Sequence, residues 1–285
     1  MPLTDAQSDA LVEAIRLTAR EEIVPRFRAL AGDAVAVKSG ADDLVTVADR
    51  AAEAALAARA RLILPGDAVL GEESVSDGAA TLDALGSGRC VVIDPIDGTW
   101  NFAHGLATYG VLVAVVEDGE TVWGCLYDPS FDDWILARRG GGAWLHRAGR
   151  ARRLRVSQDD ASPAAARGSV DLYHVPEAAR PALAATLPRF RRASSLGASV
   201  HEYRLLCLGG SDFELSGGLH VWDHAAGTLA LREAGGVARL VGGQDYAPTM
   251  RAGRLLNART EALWHALAET FGPALAHDPL ARRPR

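Results

Sequence analysis

Short apolar runs alternate along the chain with longer amphipathic stretches, and this pattern predicts a mixture of strands and helices. Apolar residues recur every four positions from Leu11 to Ile23, which predicts a helix over Thr4–Val24 that ends at Pro25. A second helix is predicted over Val47–Leu64, where a Pro-Gly pair stops it. We therefore expect two helices near the start of the chain.

A strand meander is predicted in the middle of the chain. Its apolar runs are separated by turn signals at Asp-Gly, Asp-Pro and Gly-Gly-Gly, a spacing typical of antiparallel hairpins. The glycines at 140–142 lack the Lys and Ser/Thr that follow in a phosphate loop, so we interpret them as a turn. The predicted strands are Tyr109–Val116, Thr121–Asp128, Trp134–Ala137 and Ala143–Leu145.

Strands and helices alternate from about residue 155 onward, which predicts a second subdomain of α/β type. We expect an N-terminal α+β subdomain over residues 1–150 and a C-terminal α/β subdomain over residues 151–285. The predicted strands are Ala165–Val170, Asp212–Leu215 and Val237–Val241, with short strands near Phe190 and Leu255. The predicted helices are Glu177–Leu187, Ser199–Leu208, Asp223–Ala234 and Thr260–Phe271.

The composition is that of an ordinary globular protein. With 285 residues, 48% hydrophobic and 23% charged, the chain is long enough to bury a large core. The formal net charge of −6 does not indicate a nucleic-acid surface, and we interpret the arginine-rich run at 147–155 as a solvated edge or loop. No apolar run approaches the length of a membrane span, and the acidic first 25 residues do not resemble a signal peptide.

The cysteines and lysines bear on compartment and source. Cys90, Cys125 and Cys207 are odd in number, widely spaced and set in apolar patterns, which indicates buried thiols in a reducing compartment. We therefore expect a cytoplasmic protein. Lys38 is the only lysine among 30 basic residues, a bias that indicates a GC-rich genome and a bacterial source.

Two carboxylates lie where a buried strand is predicted to end. The apolar run at 91–93 stops at Asp94, and Asp97 follows three residues later. Acidic groups this close repel one another unless a cation lies between them, and oxygen ligands suit hard ions such as Mg²⁺. The segment D-P-I-D-G-T-W-N-F at 94–102 therefore predicts a metal site, although Asp-Pro and Asp-Gly are also common turn pairs.

Other segments strengthen the prediction of a metal site. They are D-L-V-T-V-A-D at 43–49, G-E-E at 71–73 and W-D-H-A-A-G at 222–227, followed by E-A-G-G at 233–236. In this order, together with 94–102, they resemble the inositol monophosphatase family of metal-dependent phosphatases. The resemblance extends from residue 38 to about residue 240.

The resemblance implies a fold and a metal site. The fold is a layered α-β-α-β-α sandwich of the inositol monophosphatase and fructose-1,6-bisphosphatase type, with the site between its two halves. The cofactor is Mg²⁺, with two ions and a possible third near Glu72. The first ion is expected on Glu72, Asp94 and the carbonyl of Ile96, and the second on Asp94, Asp97 and Asp223.

The family pattern also implies roles in catalysis. Glu72 and Thr99 are expected to orient a metal-activated water, with Asp49 accepting a hydrogen bond from Thr99. Taken alone, Asp49 would be interpreted as a first-turn acid that stabilises its helix, and Asp223 as a helix cap. The amides of Gly98 and Thr99 are expected to bind phosphate, because a helix start offers unpaired N–H groups.

Substrate contacts follow from the same resemblance. Relatives that act on inositol phosphates have a sugar-binding glutamate seven residues before the Trp-Asp aspartate, and here that position is Ser216. A neutral hydroxyl cannot accept the same charge-assisted bonds, which disfavours inositol phosphate unless Glu214 substitutes for the missing acid. The expected substrate contacts are Asp97, Ser169, Gly197, Ala198, Ser216 and Asp223.

Several neighbours of these motifs are assigned no chemistry. Glu73 is expected to point away from the metal on an extended segment, Lys38 is interpreted equally well as a surface lysine, and Trp100 is interpreted as a core anchor. Four histidines are expected to pack or to face solvent, although the last could touch substrate: His104, His201, His220 and His224.

The predicted function is that of a Mg²⁺-dependent phosphomonoesterase acting on a small polyol, sugar or amino-alcohol phosphate. The alternatives on the same scaffold are a histidinol-phosphate phosphatase, a fructose-1,6-bisphosphatase and a 3′-phosphoadenosine nucleotide phosphatase; a non-catalytic regulatory protein is less favoured. The expected partner is a small phosphate ester, with neither nucleic acid nor membrane. The resemblance further implies lithium sensitivity and a homodimer.

Overall fold

A computed structural model describes residues 3–30, 34–38, 44–159 and 162–281. Asp43, the first residue of the D-L-V-T segment, lies outside this part of the chain. The helices are α1 Asp5–Thr18, α2 Val47–Ile63, α3 Glu72–Ser76, α4 Thr99–Ala103, α5 Arg180–Ala184, α6 Ser199–Leu208, α7 Val221–Glu233 and α8 Glu261–Ala274. The strands are β1 Val35–Val37, β2 Leu44–Thr46, β3 Ala68–Gly71, β4 Arg89–Asp97, β5 Gly110–Glu117, β6 Glu120–Asp128, β7 Asp133–Arg138, β8 Gly142–Arg147, β9 Arg150–Arg153, β10 Arg167–Val170, β11 Arg192–Ser194, β12 Phe213–Ser216, β13 Val237–Leu240 and β14 Leu255–Ala258.

The first sheet has seven strands in the order β3-β4-β5-β6-β7-β8-β9. Only β3 and β4 are parallel; the remaining neighbours are antiparallel, which confirms the predicted meander. Its central strands are buried on both faces. Along β4, Val91 and Ile93 pack with residues of α1 and α2, whereas Val92 packs with residues of α6 and α7. A strand covered by helices on both sides needs this continuous apolar run.

The second sheet has five strands in the order β11-β10-β12-β14-β13. β10 is parallel to β11 and β12, whereas β14 is antiparallel to its two neighbours. Along β12 the side chains alternate between the two faces. Phe213 and Leu215 join a core with α5 and α8, while Glu214 and Ser216 bond to residues that pack with α6 and α7.

The layers follow from these contacts. α1 and α2 cover one face of the seven-stranded sheet, and α6 and α7 lie between the two sheets. α5 and α8 cover the outer face of the five-stranded sheet. α7 approaches β6 closely at Gly124, where a Cβ would lie 2.8 Å from Ala226 Cα. The α-β-α-β-α sandwich expected from the resemblance is thus confirmed.

Two local predictions were wrong, and one pair of strands was missed. The first helix does not continue regularly to Val24, because after Thr18 it widens into a π turn and then tightens into a 3₁₀ turn over Val24–Arg26. The helix expected over Glu177–Leu187 is reduced to α5, since prolines at 176, 181 and 188 interrupt it. The hairpin of β1 and β2 was not predicted at all, because each strand has only three residues.

Other expectations are met by the described residues. All three cysteines are buried free thiols. The basic run forms the exposed outer edge of the first sheet at β9, as expected of a solvated edge. In the part of the chain that the structure describes, no helix combines the length and the apolar character that crossing a bilayer would require.

The first sheet continues past the predicted subdomain boundary at residue 150. Its last strand, β9, ends at Arg153, three residues beyond that boundary.

Candidate active site

Glu72 and Asp94 lie at the same end of the first sheet, because β3 and β4 are parallel and each residue stands at the carboxyl end of its strand or just after it. Gly71, the last residue of β3, pairs with Ile93 in β4. The next residue of each strand therefore emerges on the same side. Beyond Asp94 the pairing of β4 with β5 is irregular until Asp97, which pairs with Gly110. Residues three apart in a regular strand point to opposite faces, but this irregularity, which contains Pro95, lets Asp94 and Asp97 point toward the same place.

Three aspartates meet at this end of the first sheet. Asp94, Asp97 and Asp223 each offer one carboxylate oxygen, and these oxygens all lie within 4.8 Å of one another. Asp223 comes from the first turn of α7, more than one hundred residues later in the chain. Among the described residues its carboxylate bonds to no backbone amide; its Oδ2 lies 3.3 Å from His220 Nδ1. Asp223 is therefore not a simple helix cap.

The electrostatics of this trio suit a cation. Burial, together with the charges of Glu72, Asp97 and Asp223, raises the pKa of Asp94 well above its ordinary value. Burial and the charge of Asp223 raise the pKa of Asp97 in the same way. Asp94 Oδ1 is buried and has no hydrogen-bond partner among the described residues. Hard divalent cations prefer such converging oxygen ligands, so these residues fit the metal that the resemblance implies.

Asp97 also joins the two halves of the fold. Its Oδ1 accepts a hydrogen bond from Ser199 N at 3.1 Å, and its Oδ2 accepts one from Val200 N at 2.6 Å. These amides begin α6, whose first N–H groups have no partner within the helix. Each oxygen keeps a further lone pair, so Asp97 can cap α6 and bind a cation at once.

Asp49 and Thr99 are in contact, as the resemblance implies. Asp49 Oδ1 accepts a hydrogen bond from Thr99 Oγ1 at 3.1 Å. Asp49 Oδ2 accepts from the amide and the hydroxyl of Thr46, at 2.8 and 2.5 Å, in a capping box that begins α2. Burial raises the pKa of Asp49 to about 6. Asp49 therefore stabilises the start of α2 and contacts Thr99 at the same time.

The environment of Glu72 differs from the expectation in two respects. Lys38 is no surface lysine: its side chain is 11% exposed, and its Nζ lies 2.9 Å from Glu72 Oε1 and 2.5 Å from Glu73 Oε1. Glu73 stands in the first turn of α3 rather than on an extended segment, so helical geometry brings it to Lys38. Burial raises the pKa of Glu72 to about 7, although the charge of Lys38 opposes the shift.

Gly98 begins α4 in the left-handed conformation, with φ 85°. A Cβ here would lie 2.9 Å from both Ala198 Cβ and Thr108 O. Both the backbone conformation and the close contact therefore require glycine. The sequence-based reason, room for a phosphate, is joined by a packing reason that only the fold reveals.

The model of the inositol monophosphatase family matches residues 5–275. The chain belongs to the inositol monophosphatase family. Inositol-1-monophosphatase SuhB of Mycobacterium tuberculosis is 36% identical over 220 residues, which are 76% of this chain and 75% of that protein. Inositol monophosphatase 1 of Rattus norvegicus is 31% identical over 254 residues, 87% of each chain. The fructose-1,6-bisphosphatase/inositol-1-monophosphatase of Thermotoga maritima is 30% identical over 213 residues, 75% of this chain and 77% of that protein.

Solved structures of inositol monophosphatases share the fold. The Thermotoga maritima enzyme superposes with a TM-score of 0.80 at 25% identity, covering 95% of this chain and 99% of that one. The extragenic suppressor protein suhB of Bartonella henselae gives 0.78 at 25% identity, covering 93% and 98%. As a member of this metal-dependent family, the chain is a phosphomonoester hydrolase.

The residues of this chain that are expected to contact substrate differ in solvent exposure. Gly197 is exposed, whereas Ala198 is only 3% exposed and packs beside Gly98. Ser169 is held at 2.5 Å by Glu202 Oε1, which also accepts from Ser195 and from Leu196 N. Glu202 thus holds Ser169 and the segment before Gly197 in place through three hydrogen bonds.

Ser216 belongs to a buried chain of hydrogen bonds. Asn257 Nδ2 donates to the Tyr203 hydroxyl at 3.0 Å, and that hydroxyl lies 3.0 Å from His224 Nδ1. His224 Nε2 lies 3.2 Å from Ser216 Oγ, which donates to Gly218 O at 3.1 Å. If each hydroxyl donates once, the histidine carries its proton on Nε2. Ser216 then has only an acceptor lone pair left for a substrate.

The structure decides three interpretations that the sequence offered. Glu214 does not replace the missing glutamate, because it is 1% exposed and its carboxylate accepts from Asn257 Nδ2 at 2.7 Å. His224 is wholly buried, so the prediction that it could touch substrate was wrong. Trp100 is 42% exposed and stacks on His104, so it is no core anchor.

Three residues of the site were missed. Glu53 accepts from the amides of Glu73 and Ser74 at 2.7 and 2.8 Å and so fixes the segment that carries Glu72. Its position four residues after Asp49, on the same helix face, was the available signal. Asn101, within the 94–102 motif, donates to the carbonyls of Thr108 and Leu196 at 2.8 Å. His220, expected only to pack or face solvent, contacts Asp223.

Proposed function

We propose that this chain is a Mg²⁺-dependent phosphomonoesterase that hydrolyses a small polyol, sugar or amino-alcohol phosphate. One observation carries the proposal: three carboxylates, two of them buried, converge within 4.8 Å beside the hydrogen-bonded pair Thr99 and Asp49. A purely structural cluster would pair each acid with a cationic side chain, and Asp94 Oδ1 has no partner among the described residues.

Two ions are assigned to this site, with a third weakly held near Glu72. Glu72, Asp94 and the carbonyl of Ile96 would hold the first, and Asp94, Asp97 and Asp223 the second. When bound, Mg²⁺ would supply a water of lowered pKa as nucleophile and would stabilise the departing alkoxide oxygen. Ile96 O lies 3.0 Å from Thr99 Oγ1, so the proposed ligand and the proposed catalytic hydroxyl are adjacent.

The chain's own groups would then orient the reactants. With the Thr99 proton donated to Asp49 Oδ1, a lone pair of Thr99 Oγ1 is directed outward and can accept a hydrogen bond from the attacking water. Glu72, held by Lys38, would accept a second hydrogen bond from that water. The amides of Gly98 and Thr99 would bind the phosphoryl oxygens at the start of α4.

The substrate hydroxyls would meet Asp97, Ser169, Gly197, Ala198, Ser216 and Asp223. Ser216 offers an acceptor without charge where a glutamate would favour inositol phosphate. Histidinol phosphate, fructose 1,6-bisphosphate and 3′-phosphoadenosine 5′-phosphate remain alternative substrates on this scaffold. The dual name of the Thermotoga maritima relative shows that one such protein is credited with both a bisphosphate and a monophosphate.

A substrate panel with and without Mg²⁺ tests the proposal. Inositol 1-phosphate, histidinol phosphate, fructose 1,6-bisphosphate and 3′-phosphoadenosine 5′-phosphate are incubated with purified protein, and released phosphate is measured. We expect turnover of at least one ester that stops when EDTA is added and returns with excess Mg²⁺. Absence of turnover in a wider set of phosphate esters, or turnover indifferent to EDTA, contradicts the proposal.

Four further properties are proposed together with this activity. Inhibition by lithium and a homodimer follow from the resemblance, whereas a cytoplasmic location is proposed from the unpaired cysteines and a bacterial source from the single lysine among many arginines. Lithium inhibition is measured in the same phosphate-release assay, and the oligomeric state by sedimentation. The division at residue 150 into two subdomains likewise remains a proposal.

A further inference from the structure

A cleft opens directly beside the aspartate trio. It has a volume of about 490 Å³, and its walls come from the turn after β10, the turn after β12 and the segment before β14. The side chains that matter for its chemistry are Tyr173, His174, Arg180, His220 and Arg251. The metal-site residues assigned above do not include any of these five.

The cleft adjoins the active site at His220. This residue lines the cleft, and its Nδ1 lies 3.3 Å from Asp223 Oδ2. Gly217 brings the opposite walls together, since a Cβ there would lie 2.9 Å from Asp171 Oδ2 and 3.0 Å from His174 Cβ. A phosphate ester whose phosphoryl group lay at the trio could therefore extend its leaving group into this cleft.

Among the charged side chains that line the cleft, some are paired with a carboxylate and others contact only carbonyl groups, so the cleft carries a net positive charge. His174 Nδ1 pairs with Asp171 Oδ2 at 2.7 Å, and the buried Arg254 pairs with Asp278. Arg180 instead donates to the carbonyls of Val175 and Tyr173, both at 2.9 Å.

Arg251 likewise contacts carbonyls, with its Nη2 donating to Leu82 O at 2.9 Å. Among the described residues, neither Arg180 nor Arg251 forms an ion pair with a carboxylate. A carbonyl positions a guanidinium without neutralising it, and each guanidinium retains N–H groups for another acceptor. Because Ser216 is neutral and Glu214 is buried, β12 adds no negative charge to this wall.

We propose that this cleft is a subsite for a second anionic group, a phosphate or a carboxylate, carried by the leaving group of the substrate. The inference rests on the proposed phosphomonoesterase function and narrows it: a leaving group with an anion is favoured over a neutral polyol, and a cationic amino alcohol is disfavoured. Arg180 and Arg251 supply the charge, and Tyr173, which is 45% exposed, supplies a flat wall for the carbon skeleton.

A matched pair of substrates tests the subsite. Fructose 1,6-bisphosphate and fructose 1-phosphate share the same 1-phosphate and differ only in the second anion. We expect wild-type kcat/KM for release of the 1-phosphate to be higher for the bisphosphate. Arg180→Gln and Arg251→Gln should each reduce this preference by roughly five- to tenfold, mainly through KM, as loss of one charge-assisted contact predicts.

Two further variants serve as controls. Arg180→Lys keeps the charge and should retain most of the preference. Arg152→Gln removes an exposed arginine from β9, at the far edge of the other sheet, and should leave both substrates unaffected. Thermal denaturation of each variant checks that the fold is intact, which matters most for Arg251 because of its bond to Leu82 O.

The outcomes separate this inference from the proposed function. If both fructose phosphates are hydrolysed but the Gln variants lower them equally, or lower neither, the subsite is wrong and the phosphatase proposal stands. If histidinol phosphate is cleaved at least as efficiently as the bisphosphate, the subsite is also wrong. If no phosphate ester is hydrolysed, the proposed function itself fails.

The salt dependence of KM gives a second readout. For the Mg²⁺-loaded enzyme, KM for fructose 1,6-bisphosphate should rise with ionic strength, and less steeply in Arg180→Gln than in the wild type. Equal salt dependence in the variant and the wild type contradicts an anion subsite at Arg180.

Discussion

The hydroxyl of Thr99 has one proton and two acceptors within reach, Asp49 Oδ1 at 3.1 Å and Ile96 O at 3.0 Å. Asp49 meanwhile uses its other oxygen to begin α2. The buried carboxylate of Asp49 therefore both caps α2 and orients the Thr99 hydroxyl. The two functions can be separated because each uses a different oxygen.

Replacing Asp49 with Asn should separate them. The remaining oxygen can still accept from Thr46, while the new amide nitrogen cannot accept from Thr99. We expect kcat to fall at least about a hundredfold, because the hydroxyl is no longer oriented, with little change in melting temperature. Thr46→Ala is the matched control: it should cost about 1 kcal/mol of stability and little activity. A fully active Asp49→Asn protein would remove the assigned role.

Substitutions of Thr99 itself test whether the hydroxyl acts in catalysis. Thr99→Ser keeps the hydroxyl and should keep most of the turnover, whereas Thr99→Ala should lose about a hundredfold or more in kcat. Thr99 is partly exposed at the start of α4, so neither change should unfold the chain. Equal activity of the two variants, measured by phosphate release, would show that the hydroxyl has no part in catalysis.

At the scale of elements, α3 is held in place by a glutamate of α2. Glu53 of α2 accepts from two amides of α3, and Gly71 leaves room for its carboxylate: a Cβ on Gly71 would lie 2.0 Å from Glu53 Cδ. The position of Glu72 therefore depends on a contact between α2 and the end of β3.

This contact predicts a strong coupling between two substitutions. Gly71→Ala alone should destabilise the protein by about 1–3 kcal/mol through overpacking, and Glu53→Ala alone by about 2 kcal/mol through unpaired amides. In the double variant the alanine methyl occupies space that Glu53 has left, so the combined loss should be smaller than the sum. Denaturant unfolding of the four proteins measures the coupling; strict additivity contradicts it.

At the scale of the whole molecule, the aspartate trio joins β4 of one sheet to the helix α7 between the sheets. A cation bound there should stabilise the fold as a whole. Mg²⁺ at about one hundred times its Kd should add about 3 kcal/mol, seen as a rise in melting temperature. Asp94→Asn should abolish most of this rise, whereas Asp67→Asn, which changes a carboxylate paired with Arg89 away from the trio, should not.

The metal-free protein should also respond to pH. The pKa of Asp49 is raised from 3.8 to about 6, and burial together with the charges of neighbouring acids also raises the pKa values of Asp94 and Asp97 well above the ordinary value. A carboxyl group whose folded pKa is raised contributes stability below its unfolded pKa and loses it as pH rises. Stability without metal should therefore fall from about pH 4 through pH 6, and Mg²⁺ should offset the fall. Asp223 acts in the opposite sense, because burial alone would raise its pKa but contact with His220 lowers that pKa overall.

Local sequence patterns are enough to predict most of the candidate site. The ends of β3 and β4 and the start of α7 are recognisable because apolar runs stop at acids, and the α2 cap because Thr46 and Asp49 have capping-box spacing. Lys38, Glu53 and His220 were missed or misinterpreted, since nothing in their immediate sequence distinguishes a surface charge from a buried partner. Their roles depend on contacts with residues many positions away or on a neighbouring element.

The linear chain alone specifies the layered fold, the family and the acids that can bind a cation, because periodicity and motif order are properties of the sequence itself. Packing in three dimensions decides which charges are paired. Lys38 lies between two glutamates, and Glu214 is buried against Asn257. Two arginines of the cleft beside Asp223 have no carboxylate partner within the part of the chain that the structure describes. Charge compensation depends on distance in space, and distance in space is set by packing between elements.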